Sequence, residues 1–280
     1  MARFRTAALP LIAAAALAVA GCTTDTKTTA DAETTTPPAP NPRLTTMPLS
    51  PELDHLHGLH VDADGTVLAG THSGLLALAP SGNTTRVGTS DDDLMGLSGV
   101  PGTDTLFSSG HPGPSSDAPD PLGLARSTDG GVTWESRSLV GEVDFHALAS
   151  DGNVLAGFDT SSGIRVSADD GATWADGAAI GVSALAVTEA GIWAATPDGL
   201  LLSTDGARTF APTPGAPRLG LVSAGTDGAL WGMDVDGNAW RSRDGRAWEE
   251  FTRVGDVEAL TALDYDTAYA ATAQELHTLR

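Results

Sequence analysis

One eight-residue pattern recurs along this chain at a spacing that restricts it to a repeat architecture. Ser127-Thr-Asp129-Gly-Gly131-Val-Thr133-Trp134 returns as Ser167-Ala-Asp169-Asp-Gly171-Ala-Thr173-Trp174. Weaker copies are Ser203-Thr-Asp205-Gly-Ala207-Arg-Thr209-Phe210 and Ser242-Arg-Asp244-Gly245-Arg-Ala-Trp248. Their serines lie 40, 36 and 39 residues apart. Self-similarity at such a period marks a solenoid or a propeller. The local role of the pattern is a tight hairpin turn. Ser and Asp oxygens bond the turn backbone, Gly supplies a left-handed conformation, and the aromatic tucks between sheets.

A second repeat runs between these turns. A strand of the form x-[Gly/Ala]-Leu starts at His57, Met95, His146, Ser183, Leu219 and Glu258. After each comes a turn and another apolar run, such as Val67-Leu68-Ala69-Gly70 or Ile192-Trp193-Ala194-Ala195. Six first strands predict an all-β, six-bladed β-propeller with up to four strands per blade. The last blade runs out after about three strands. Residues 44–49 are therefore expected to supply its outer strand and close the ring, which removes exposed sheet edges. Small residues in the inner strands suit the crowding near a propeller axis.

The S-x-D-x-G-x-T-W pattern resembles the Asp-box, or BNR, repeat of sialidases and related β-propellers. The whole stretch from Leu44 to Arg280 is similar to bacterial secreted or lipid-anchored BNR-repeat proteins that carry a glycosyl hydrolase or exo-sialidase name. The segments that carry this likeness are His55-Leu56-His57-Gly58-Leu59, Ser109-Gly110-His111-Pro112 and Asp144-Phe145-His146-Ala147-Leu148. The resemblance implies a propeller and a glycosidase-like activity. True sialidases use an arginine triad and a tyrosine nucleophile. Tyrosine occurs here only at 265 and 269, and the arginines cluster around the Asp boxes, which argues against sialidase chemistry.

The N-terminus carries an address. A basic n-region, an Ala/Leu-rich stretch and Leu17-Ala-Val-Ala-Gly21-Cys22 read as a lipoprotein signal peptide over residues 1–21, with lipid on Cys22. Residues 22–43 are Thr/Pro-rich and read as a lipid-anchored linker. Residues 44–280 form the propeller. The expected location is extracytoplasmic, held on the bacterial cell membrane. Cys22 is the sole cysteine, so no intrachain disulfide forms. A formal charge of −21 excludes a nucleic-acid-binding surface, because phosphate needs a basic footprint.

In a propeller, the loops into strand one and out of strand two share one face, and the Asp-box turns lie on the other. Aligned by the repeat, the first positions read His57, Met95, His146, Ser183, Leu219 and Glu258. The second set reads His72, His111, Asp159, Thr196 or Pro197, and Asp234. Four of seven histidines fall in these sets, in neighbouring blades one to three. Imidazole with thioether is a transition-metal ligand set, with copper favoured and zinc next. The expected ligands are His57, His72, His111, His146 and Met95. His55, Asp144, Asp159, Asp234 and Glu258 are accessory candidates. Three other readings stay open at this stage. One is a glycosidase-like or carbohydrate-binding pocket using two carboxylates such as Asp144 and Glu258. Another is a scaffold for a protein partner. The last is a wet channel that binds nothing tightly. Blade two carries an insertion, His111 to Pro121, with four prolines and with Asp117 and Asp120 able to reach inward.

Overall fold

The computed structural model describes residues 43–280; the expected signal peptide, Cys22 and nearly all of the expected linker lie outside the described residues. The described residues contain strands and turns and no helix. The first strand, β1 (Leu44–Pro48), stands apart from the blade that follows it. Blade 1 is β2 (Leu56–Val61), β3 (Val67–Thr71), β4 (Gly74–Leu78) and β5 (Thr84–Val87). Blade 2 is β6 (Asp93–Gly99), β7 (Leu106–His111), β8 (Leu124–Ser127) and β9 (Glu135–Ser138). Blade 3 is β10 (Ala147–Ser150), β11 (Leu155–Asp159), β12 (Gly163–Ser167) and β13 (Ala175–Asp176). Blade 4 is β14 (Ala184–Thr188), β15 (Gly191–Thr196), β16 (Gly199–Ser203) and β17 (Ala211–Pro212). Blade 5 is β18 (Leu219–Ala224), β19 (Leu230–Asp234), β20 (Asn238–Ser242) and β21 (Glu249–Arg253). Blade 6 has β22 (Ala259–Ala262), β23 (Ala268–Ala271) and β24 (Glu275–Leu279), and β1 completes it. The strand pairings within every blade are antiparallel, and β1 runs from Leu44 opposite Leu279 to Pro48 opposite Glu275. This is the six-bladed propeller and the closure expected from the repeats.

Six apolar clusters lie one at each junction between blades. Blades 1 and 2 share Leu68, Leu75, Leu94, Leu97 and Leu106, and blades 6 and 1 share Leu49, Leu56, Leu59, Ala259 and Leu276. The inner strands need small residues because the next blade's backbone comes very close. A Cβ at Gly96 would stand 2.2 Å from the Phe145 carbonyl oxygen of blade 3. Such a contact forces the blades apart.

The repeated turns are side-chain staples. In the first, Gly131 N donates to Ser127 Oγ at 2.9 Å and Ser127 Oγ donates to Asp129 Oδ1 at 2.8 Å. Thr133 closes the turn by donating its N to Asp129 Oδ1 and its Oγ1 to Asp129 Oδ2. Asp169 and Asp205 are held in the same way by Thr173 and Thr209. The fourth turn keeps Gly245 N on Ser242 Oγ, and Arg246 N on Asp244 Oδ1. Ala207 takes the glycine position with φ of 62°, a conformation that disfavours a side chain. Trp174 stacks on Phe145 at 4.8 Å and donates to Ser138 Oγ of blade 2. Trp134, Trp174, Phe210 and Trp248 are half-buried and pack on the preceding blade's junction core.

The Thr173 and Thr209 hydroxyls hold the Asp169 and Asp205 carboxyls down at about 2, against an ordinary 3.8. A depressed folded-state pKa gives stability that is complete above about 4 and is lost as pH falls towards 2. The melting temperature should therefore drop between pH 4 and pH 2. That drop should be smaller in Asp169→Asn/Asp205→Asn. An identical pH profile in the double variant would remove these carboxylates from the acid response.

Candidate metal centre at the channel mouth

A bulge at the start of β2 carries the first group. Leu56 is buried in the core between blades 6 and 1, and His55 and His57 on either side of it meet ring to ring away from that core. His72 comes from the β3–β4 turn, which Thr71 shapes by donating to the Gly74 carbonyl at 2.9 Å. The three imidazole rings are mutual neighbours, with centroids 4.7–4.8 Å apart. One ligand atom from each lies within 4.8 Å of the others. Ligands on a tetrahedral ion at about 2.0–2.1 Å stand about 3.4 Å apart, so side-chain rotation by an ångström or so completes the set.

Carboxylates flank these rings. Asp93, at the start of β6, places Oδ1 3.4 Å from His57 Nε2 and Oδ2 3.9 Å from His72 Nε2. Glu258 Oε2 lies 3.9 Å from His55 Nδ1. The His57 side chain is 10% exposed. Both its Nε2 and Asp93 Oδ1 are buried without a hydrogen-bond partner. Burial pushes the His57 pKa below its ordinary value, and the Asp93 charge opposes that only in part. The ring is neutral at pH 7, and neutral imidazole is the ligating form.

The second group repeats the device two blades further on. Phe145 is fully buried, which turns Asp144 and His146 together towards the mouth. Asp144 Oδ2 lies 3.1 Å from His146 Nε2 and 3.3 Å from His111 Nε2. His111 Nδ1 lies 2.6 Å from Asp120 Oδ1 in the insertion. The hydrogen bond to Asp120 raises the His111 pKa, and the Asp144 and Asp93 charges add to it. The insertion is braced from below, since Gly113 N donates to Asp92 and Ser115 donates to Asp91.

All four expected histidines thus lie on one face, but they divide into two groups. His55, read as accessory from the sequence, joins His57 and His72 directly. Met95 is half-buried at the bulge between Asp93 and Gly96. Two accessory carboxylates do another job. Asp159 accepts hydrogen bonds from Ser161 and Ser162, which hold it at about 2, and Asp234 accepts from Asn238 and Trp240. Both are turn staples at the ends of their second strands, with their oxygens already bonded. Both oxygens of Glu258 also accept backbone N–H groups, from Leu56 and Ala273. Asp117 is exposed on the insertion.

The carboxylate that sequence reasoning missed is Asp93. The repeat register carried the signal. Asp93 stands two residues before Met95, as His55 stands before His57 and Asp144 before His146. The remaining histidines are structural. His60 is buried with Nε2 2.8 Å from the Thr103 carbonyl, and His277 contacts Thr46 across the closing strands.

No protein-family model and no curated protein matches the chain. Among solved structures it is similar to YCF48 bound to D1 peptide, at 14% identity and a TM-score of 0.54, over 86% of this chain and 98% of that one. It is also similar to virginiamycin B lyase from Staphylococcus aureus, at 16% identity and 0.53, over 84% and 98%. Likeness to the GH74 xyloglucanase from Xanthomonas campestris reaches 20% and 0.50, over 82% of this chain and 43% of that one. The structural overlap, at identities this low, shows a shared β-propeller fold and nothing further.

The local charges predict an ordering of the imidazoles in metal-free protein. Followed by NMR, His111 should titrate above 6.5 and His57 below it. Asp120→Asn should bring His111 down. An unmoved His111 in that variant would show that the insertion does not set its protonation.

Proposed function

We propose that this protein is a lipid-anchored, extracytoplasmic Asp-box propeller that binds a transition-metal ion, copper or zinc, at the mouth of its channel. The observation that carries this reading is the group of His55, His57 and His72, each with a ligand atom within 4.8 Å of the others. Asp93 supplies a fourth ligand beside His57 and His72. The unpartnered His57 Nε2 and Asp93 Oδ1 support a cation between them, because buried polar atoms without partners are costly. Three imidazole donors suit divalent copper or zinc better than magnesium or calcium. A carboxylate-pair glycosidase fits less well, since both oxygens of Glu258 hold backbone N–H groups. The lipobox at Cys22 supports the anchor, and the four Ser-Asp turns support the Asp-box assignment.

Elemental analysis of purified protein, dialysed after addition of zinc or copper, should find bound metal. His57→Ala should lower the affinity at the His55–His72 site by at least tenfold while circular dichroism stays unchanged. Metal bound equally well by His57→Ala would refute the site. Separately, Cys22→Ser should release the protein from membranes; full retention of the variant would refute the anchor.

A further inference from the structure

We propose that the channel mouth holds a second divalent transition-metal ion, at the junction of blades 2 and 3, on His111 Nε2, Asp144 and His146 Nε2. This goes beyond the single ion at His55, His57 and His72 and does not depend on it.

The distances point to coordination. Asp144 Oδ2 is 3.3 Å from His111 Nε2 and 3.1 Å from His146 Nε2. These are close to the edge of a tetrahedron around an ion with ligands at about 2.0–2.1 Å. Asp144 Oδ2 is the oxygen that both nitrogens share, and side-chain rotation that brings the two imidazoles towards each other completes the set. Asp144 Oδ1 is buried with no hydrogen-bond partner, on a side chain only 17% exposed. A cation beside the carboxylate offsets the cost of that burial.

The support around His111 is that of a metal ligand. Its Nδ1 bonds Asp120 Oδ1 at 2.6 Å, which keeps a proton on Nδ1 and assigns Nε2 to the ion. A carboxylate behind a ligating imidazole fixes its tautomer and orientation. Asp120 lies on the blade 2 insertion, and Asp91 and Asp92 brace that insertion. The extra residues thereby acquire a role: they carry the group that aims His111.

The repeat supplies independent support. At the junction of blades 1 and 2, Asp93 faces His57 and His72. At the next junction, Asp144 faces His146 and His111. In both, the carboxylate stands two residues before the x-[Gly/Ala]-Leu position, and one histidine comes from the end of the preceding blade's second strand. Asp93 and His111 are directly opposite each other across β6 and β7, so the two sites are neighbours.

The test is metal stoichiometry and affinity in the full-length protein, by calorimetric titration with zinc chloride and elemental analysis after dialysis. Wild type should bind two ions. His111→Ala/His146→Ala should bind one, and so should His55→Ala/His72→Ala. One ion in wild type that survives His111→Ala/His146→Ala would overturn the second site and leave the first intact. One ion that survives only His55→Ala/His72→Ala would support this site and remove the first. Two ions retained without His111 and His146 would also overturn it. Should that double variant fail to fold, Asp120→Asn decides, because it keeps every ligand. A 10–100-fold weaker second binding step supports the assignment, and unchanged affinity overturns it.

Discussion

The pairing of Leu44–Pro48 with Glu275–Leu279 is the contact on which the mouth depends. Each blade buries its faces against two neighbours, so a ring of six needs the sixth to meet the first. The chain leaving β1 is pinned at once: Leu49 N donates to the Gln274 carbonyl and Leu53 N to the Ala273 carbonyl. Leu49 and Leu53 then enter the core between blades 6 and 1. Two residues later stands His55, with Glu258 of blade 6 3.9 Å away. One cluster thus draws on blade 6, blade 1 and blade 2, and its geometry exists only in the closed ring.

The same closure sets the electrostatics. At the first group Asp93 and Glu258 meet the imidazoles from other blades, so no local chain preference can relax them. Some carboxylates at this face are fully occupied, as Asp159 is by its own turn. Asp93 and Asp144 instead each keep a buried oxygen without a hydrogen-bond donor. That difference separates the staples from the candidate ligands more sharply than residue type does, since all of them are aspartates.

The period of the repeats made the architecture legible. Ser and Asp at fixed offsets specify a turn through their own hydrogen bonds, and the six x-[Gly/Ala]-Leu strands between such turns count the blades. The missing strand of blade 6 was also readable, because a ring leaves a definite vacancy. The site was legible only by face. Register told that His57, His72, His111 and His146 share one end of the channel. It did not tell that they split between two junctions, because that depends on how neighbouring blades rotate against each other. Asp93 was hidden in the run Asp91-Asp92-Asp93, where the first two brace a loop and only the third faces the imidazoles. Asp159 and Asp234 looked equivalent to His72 and His111 by position, but serine or asparagine beside them provides local partners that histidine lacks.

Closure by the first strand also imposes an order in time. Leu44 cannot meet Leu279 until the whole domain has been made, and at about 5–20 residues per second the 235 residues between them take about 12–47 s to synthesise. Throughout that interval β1 has no partner while blades 1 to 5 can already pack. Its composition suits the wait. Thr45 and Thr46 break up Leu44 and Met47, and Pro48 lacks the N–H that another edge would bind. The strand that finishes the ring is therefore poorly suited to pair with another edge before its turn comes.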